Sequence, residues 1–143
     1  MTQEKINSFI NRIDNLRPVQ KPKFGKMNVN QVICHCADAF RMAIGEMRAE
    51  EYGKVEPSEI LALARAGKSV PVPKGFDQVK GEGTQPGEFL EDVATLKNYL
   101  IKFSKLPDDF IYAEHPFFGY MEKQRWDSLM EYHLDHHLKQ FGV

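Results

Sequence analysis

Apolar residues recur at three- and four-residue intervals in four stretches of this chain, and no stretch alternates convincingly in the two-residue rhythm of a strand. That feature restricts the fold to an all-α arrangement of amphipathic helices. The first stretch carries Ile6, Phe9, Ile10, Ile13 and Leu16, with Thr2 placed to cap it and Pro18 and Pro22 placed to end it. The second opens at Asn28, where Asn28 and Gln31 have the spacing of a capping box, and runs through Val32, Cys36, Ala39, Phe40 and Ala43 to about Met47. The third carries Phe89, Val93, Leu96, Leu100 and Phe103 and is closed by Pro107. A fourth spans about Glu122 to Gln140 with Trp126, Leu129, Met130, Leu134 and Leu138.

The connection between the second and third stretches is long. It holds "PSEILALARAGK", expected as a short helix capped by Ser58, and then "SVPVPKGFDQVKGEGTQPG", whose Pro and Gly content predicts irregular backbone. Connections of that length in a compact domain are commonly functional. Four amphipathic helices with one long crossover, between the second and third of them, describe a four-helix bundle. At 143 residues the chain fits one domain, residues 1–143, large enough to bury a core without disulfide or metal staples.

Charge and hydropathy exclude several classes of partner. A formal net charge of -1 gives no general attraction to nucleic acid or to an anionic membrane. No apolar run approaches the ~18–20 residues that cross a bilayer. The opening "MTQEKINSFINRIDNL" is charged and amphipathic, unlike a signal peptide. Cys34 and Cys36 are too close in sequence to staple a fold, so a reducing cytoplasm is the expected location. There is no Gly-rich phosphate loop, no GxSxG and no CxxC.

The unusual residues are the histidines: five in all, three of them inside "HLDHH". With 100° per residue, His137 lies about 40° from His133, and Trp126, Leu129 and Met130 lie within about 60° of it. His133 and His137 therefore sit in the middle of the apolar face, while His136 is offset toward its edge. Imidazolium near a helix C-terminus explains an outward histidine. It does not explain two inward ones, each of which needs partners for both ring nitrogens. An i, i+4 pair on one face is also the spacing at which two imidazoles converge on a metal ion.

His35, in "NVNQVICHCADAFRM", shares its face with Asn28, Val32, Ala39 and Met42 and is also expected to point inward. Three imidazoles from two helices would leave a divalent ion with open positions, as catalytic sites do. Cys34 and Cys36 splay about 100° to either side of His35, which prevents both from reaching one ion, and they read as small buried hydrophobes. His115 precedes Pro116 and belongs to the loop before the fourth helix, at most a substrate contact or proton carrier at the mouth of the site. Asp38, one turn from His35, is a candidate proton acceptor or partner to a ligand. HExxH fails here, since Leu134, Asp135 and His136 fill the interval, so no thermolysin-like glutamate base is expected.

The second-helix histidine combined with a terminal HxxHH…Q resembles the DinB/YfiT superfamily, whose members are taken to be metalloenzymes. The block "HPFFGYMEKQRWDSLMEYHLDHHLKQFG" is similar to a subgroup of it without a defined function, and the likeness extends from "NVNQVICHC" through "GEFLEDVATLKNYLIKF" to the C-terminus. The resemblance implies a four-helix bundle holding one divalent metal, often zinc or nickel. Its ligands match His35, His133 and His137, and His136 falls at a non-ligand position. It further implies thiol-dependent transfer or isomerisation with a low-molecular-weight thiol such as mycothiol, bacillithiol or glutathione, or hydrolysis in other members. Homodimers are frequent in the superfamily.

Two function classes follow. In an enzyme, the ion activates a thiol cosubstrate or a water for attack on a small-molecule electrophile, with the Pro/Gly crossover as a lid. In a binding or structural module, the ion only holds the bundle, or the imidazoles partner one another. No obvious basic cluster awaits a charged thiol: Arg41, Arg48, Lys68, Lys74 and Lys80 read as solvated charges.

Overall fold

Thr2 opens the first helix, its side-chain oxygen accepting the Lys5 amide at 3.3 Å. In the computed structural model, which describes residues 1–143, this helix, α1, spans Gln3–Asp14 and stops ahead of Pro18. It buries Ile6, Phe9 and Ile13. The Asn28–Gln31 capping box is formed in both directions, each bond at 2.9 Å, and starts α2 at Val29–Ala43. That helix ends about a turn earlier than its apolar pattern suggests. The amides of Glu46 and Met47 fold back onto the Arg41 carbonyl, so the chain has turned out of the helix before Met47.

The helix in the crossover, α3, spans Pro57–Arg65. Ser58 does not cap it; Glu56 stands at the cap without a side-chain bond, and Pro57 takes the first helical position, where its missing N–H costs nothing. Beyond α3 the crossover is irregular except for one 3-10 turn at Gln78–Lys80. The remaining helices are α4, Phe89–Ser104, and α5, Lys123–Gln140. The chain is thus all-helical with five α-helices, and its only bridge is the isolated pair His115–Gly119. No helix is long and apolar enough to cross a membrane.

Both α1 and α2 pack against both α4 and α5, and the 3-10 turn lies against α2. Neighbours on three sides bury α2 almost all round, polar positions His35 and Asp38 included. The core runs through Ile33 and Phe40 of α2, Leu96, Leu100 and Phe103 of α4, and Trp126, Met130 and Leu134 of α5. An aromatic series joins these layers: Phe40 to Phe103 at 5.3 Å, Phe103 to Tyr112 at 5.7 Å, and Tyr112 stacked on Trp126 at 6.0 Å between centroids. Arg12 adds an ion pair to Asp135 at 2.9 Å between α1 and α5.

Candidate metal centre

α2 and α5 bring His35, His133 and His137 together. One ligand atom from each lies within 4.8 Å of the others, and the ring centroids are 4.5–4.9 Å apart. His35 and His137 are buried and His133 is half-buried. His35 Nε2 faces His133 Nε2 at 3.0 Å. Two nitrogens on one tetrahedral zinc at ~2.0–2.1 Å stand roughly 3.3–3.4 Å apart. This pair lies near that spacing, and the widest gap of the three has to close by up to roughly 1.4 Å.

The outer contacts fix which nitrogens are free. His35 Nδ1 meets the Phe76 carbonyl at 3.4 Å, and His137 Nδ1 meets Gln140 Oε1 at 2.7 Å. Both oxygens only accept, so each Nδ1 carries the proton and each Nε2 keeps its lone pair. Gln140 is oriented by its own Nε2, which donates to the Phe24 carbonyl at 3.4 Å. His133 Nδ1 is shielded from solvent and has no partner, so another imidazole is this ring's only polar contact in the chain.

Burial lowers the pKa of all three imidazoles. His137 falls to about 3, first through burial and then through the nearby His35. His133 is held well below its ordinary 6.5 by burial and then by His137 and His35. For His35 burial again dominates, opposed by the Phe76 carbonyl and Asp38. Near neutral pH the cluster is therefore uncharged, the protonation state a metal requires of imidazole. Three neutral imidazoles converging from two helices, two of them with carbonyl partners behind the ring, fit a divalent ion.

The DUF1569 family model, described as a protein of unknown function, matches residues 1–142. The chain belongs to the DUF1569 family. No curated protein and no solved structure matches it.

The other sequence candidates in this DUF1569 chain separate by contact. Asp38 is 1% exposed but makes no hydrogen bond to a histidine; its oxygens accept from Thr84 N at 2.7 Å, Thr84 Oγ1 at 2.6 Å and Arg41 at 3.3 Å. His115 is buried against Phe118 and Trp126, and its Nδ1 accepts the amides of Phe117 and Phe118 at 3.0 and 3.2 Å. It organises its own turn. His136 is exposed, between Phe24 and Tyr132, outside the cluster. Both cysteines are free and buried; burial pushes the Cys34 thiol up to about 12 and raises that of Cys36 as well, which keeps both as thiols.

Of the basic side chains, Lys74 pairs with Glu50 and Lys80 with Asp77, both at 3.3 Å, while Arg41 is taken by Asp38 and Thr84. Sequence reading missed two roles. Gln140 could have been found, since it is i+3 from His137 and shares its face. The Phe76 carbonyl could not: a backbone oxygen on an irregular segment leaves no residue-type signature.

Proposed function

We propose that this protein is a metal-dependent enzyme of the DinB/YfiT kind. In this reading α1, α2, α4 and α5 form a four-helix bundle, and His35, His133 and His137 hold one zinc or nickel ion. The convergence of three neutral imidazoles within 4.8 Å carries it. When bound, such an ion favours the anionic form of a thiol or water, which makes a nucleophile near neutral pH. The chain's own contribution is positional. Phe76 and Gln140 fix two ring orientations, and burial keeps all three rings deprotonated. Three protein ligands leave coordination positions for a cosubstrate and a small electrophile.

Transfer from a low-molecular-weight thiol is the preferred reaction, with hydrolysis as its alternative. A cobalt-substituted site separates them, because a thiol cosubstrate adds sulfur-to-metal charge transfer to the spectrum. A homodimer belongs to the same reading. A second reading, a non-catalytic bundle, is favoured by the 3.0 Å contact between His35 and His133, which is also hydrogen-bond length. His133 Nδ1 stays buried and unpaired in both readings, because Nε2 is the atom that faces His35.

Metal content per chain separates the metal site from a metal-free bundle, measured on tag-free protein purified without added metal or chelator beside His133→Ala. Near-stoichiometric zinc or nickel in the wild type, lost from a folded His133→Ala, is the expected result. A wild type that takes up neither metal at submicromolar free concentration overturns the metal site and the enzyme with it.

A further inference from the structure

The crossover reaches the histidine cluster with a backbone carbonyl, and a buried polar network on α2 holds it there. Residues 75–84 are folded on themselves by Glu82, whose Oε2 accepts the amides of Gly75 at 2.8 Å and Asp77 at 3.2 Å. This unit is tied to α2 at both ends. At one end Gln31 Nε2 donates to the Gln78 carbonyl at 3.2 Å and His35 Nδ1 to the Phe76 carbonyl at 3.4 Å. At the other, Asp38 accepts both the amide and the hydroxyl of Thr84, and Arg41 donates to Asp38 and, at 2.7 Å, to Thr84 Oγ1. Gln78, 1% exposed, closes the unit by donating to the Thr84 carbonyl at 2.6 Å. The backbone comes so near α2 at Gly83 that a Cβ there would lie 2.8 Å from Asp38 Oδ2.

A carboxylate buried this deeply is costly unless its oxygens are satisfied, and here a crossover residue satisfies them. We infer that Asp38 and Thr84 are positioning residues of the histidine site. They dock the crossover on α2 so that the Phe76 carbonyl holds His35 as the Nδ1–H tautomer, with Nε2 free for a metal ion. Neither touches the ion. The inference rests on the metal-binding reading above, and it makes ion affinity and crossover docking reciprocal: each strengthens the other by the same factor.

Thr84→Val tests it, because valine keeps the shape and removes only the hydroxyl. Zinc affinity, by competition with a chromophoric chelator, is expected to fall about tenfold, within the range for losing the outer partner of a ligand histidine. Thr84→Ser is expected to restore it. Nitrogen-15 NMR of the metal-free protein supplies a second readout, expected to show His35 protonated at Nδ1 in the wild type and a mixture of tautomers in Thr84→Val. Asp38→Asn replaces Thr84→Val in both measurements if the latter does not fold. A folded variant with wild-type zinc affinity and wild-type His35 tautomer overturns the inference, even if its melting temperature drops. In that case the zinc bound by the wild type leaves the metal site standing. A wild type that binds no zinc overturns both.

Discussion

At the scale of single residues, the same side chain serves opposite ends depending on its partners. His115 and His137 are both buried imidazoles, yet His115 presents Nδ1 as an acceptor to two loop amides, whereas His137 uses Nδ1 as a donor. Burial lowers the His115 pKa to about 4 from its ordinary 6.5. As pH falls through 6.5 the unfolded chain takes up a proton that the folded chain refuses until about 4. The contribution of His115 to stability is therefore complete above about 6.5 and is lost as pH falls toward about 4, a swing of up to about 3 kcal/mol. His115→Asn keeps an acceptor for both amides and does not titrate. Urea midpoints from pH 7.5 to 4.5 are expected to slope less steeply in this variant than in the wild type, with a residual slope because His35, His133 and His137 still titrate in the same direction. Equal slopes would remove His115 from the account. Angles along α2 and α5 made the inward histidines legible, because burial follows helical phase. They did not make the role of Asp38 legible, because its partner Thr84 lies 46 residues away on irregular chain.

At the scale of elements, the helices were readable where side chains cap them and less so where the tertiary structure ends them. Thr2 and the Asn28–Gln31 box set two starts from local chemistry. The end of α2 and the cap of α3 depended on where the backbone turned and on Pro57. The segment before α2 illustrates how a loop acts on a distant helix. It wraps the end of α5, with Lys23 N donating to the Gln140 carbonyl at 2.6 Å and the Phe24 carbonyl receiving Gln140 Nε2. Gly25 has φ +81, and a Cβ on it would lie 2.4 Å from Gln140 Nε2. Gly25→Ala is expected to displace the side chain that orients His137 and to destabilise the fold by about 1 kcal/mol or more. Chelator competition and a denaturation midpoint measure the two effects separately. A variant with normal zinc affinity would show that Gln140 finds another route to His137.

At the scale of the whole molecule, one apolar interior supports both the helices and the site. Leu100 of α4 is fully buried and belongs to the same core cluster as Ile33, Cys36 and Phe40 of α2. Leu100→Ala is expected to cost about 3 kcal/mol, seen as a lower urea midpoint at unchanged m-value. A loss under 1 kcal/mol would mean that α2 and α4 close the cavity together. That the chain would be all-helical was legible from the four apolar periods alone. How the crossover returns to α2 was not, since its contacts are made by carbonyls, one carboxylate and a threonine rather than by a periodic face. The two imidazoles that meet at 3.0 Å are 98 residues apart in sequence. A bond shared by them encloses most of the chain in one ring, as a disulfide would in a protein that has none. Unlike a disulfide, such a ring opens when the chain unfolds, so it acts on the folded state by mass action and not on the freedom of the unfolded chain. An ion bound there would thus make the melting temperature rise with the concentration of free metal.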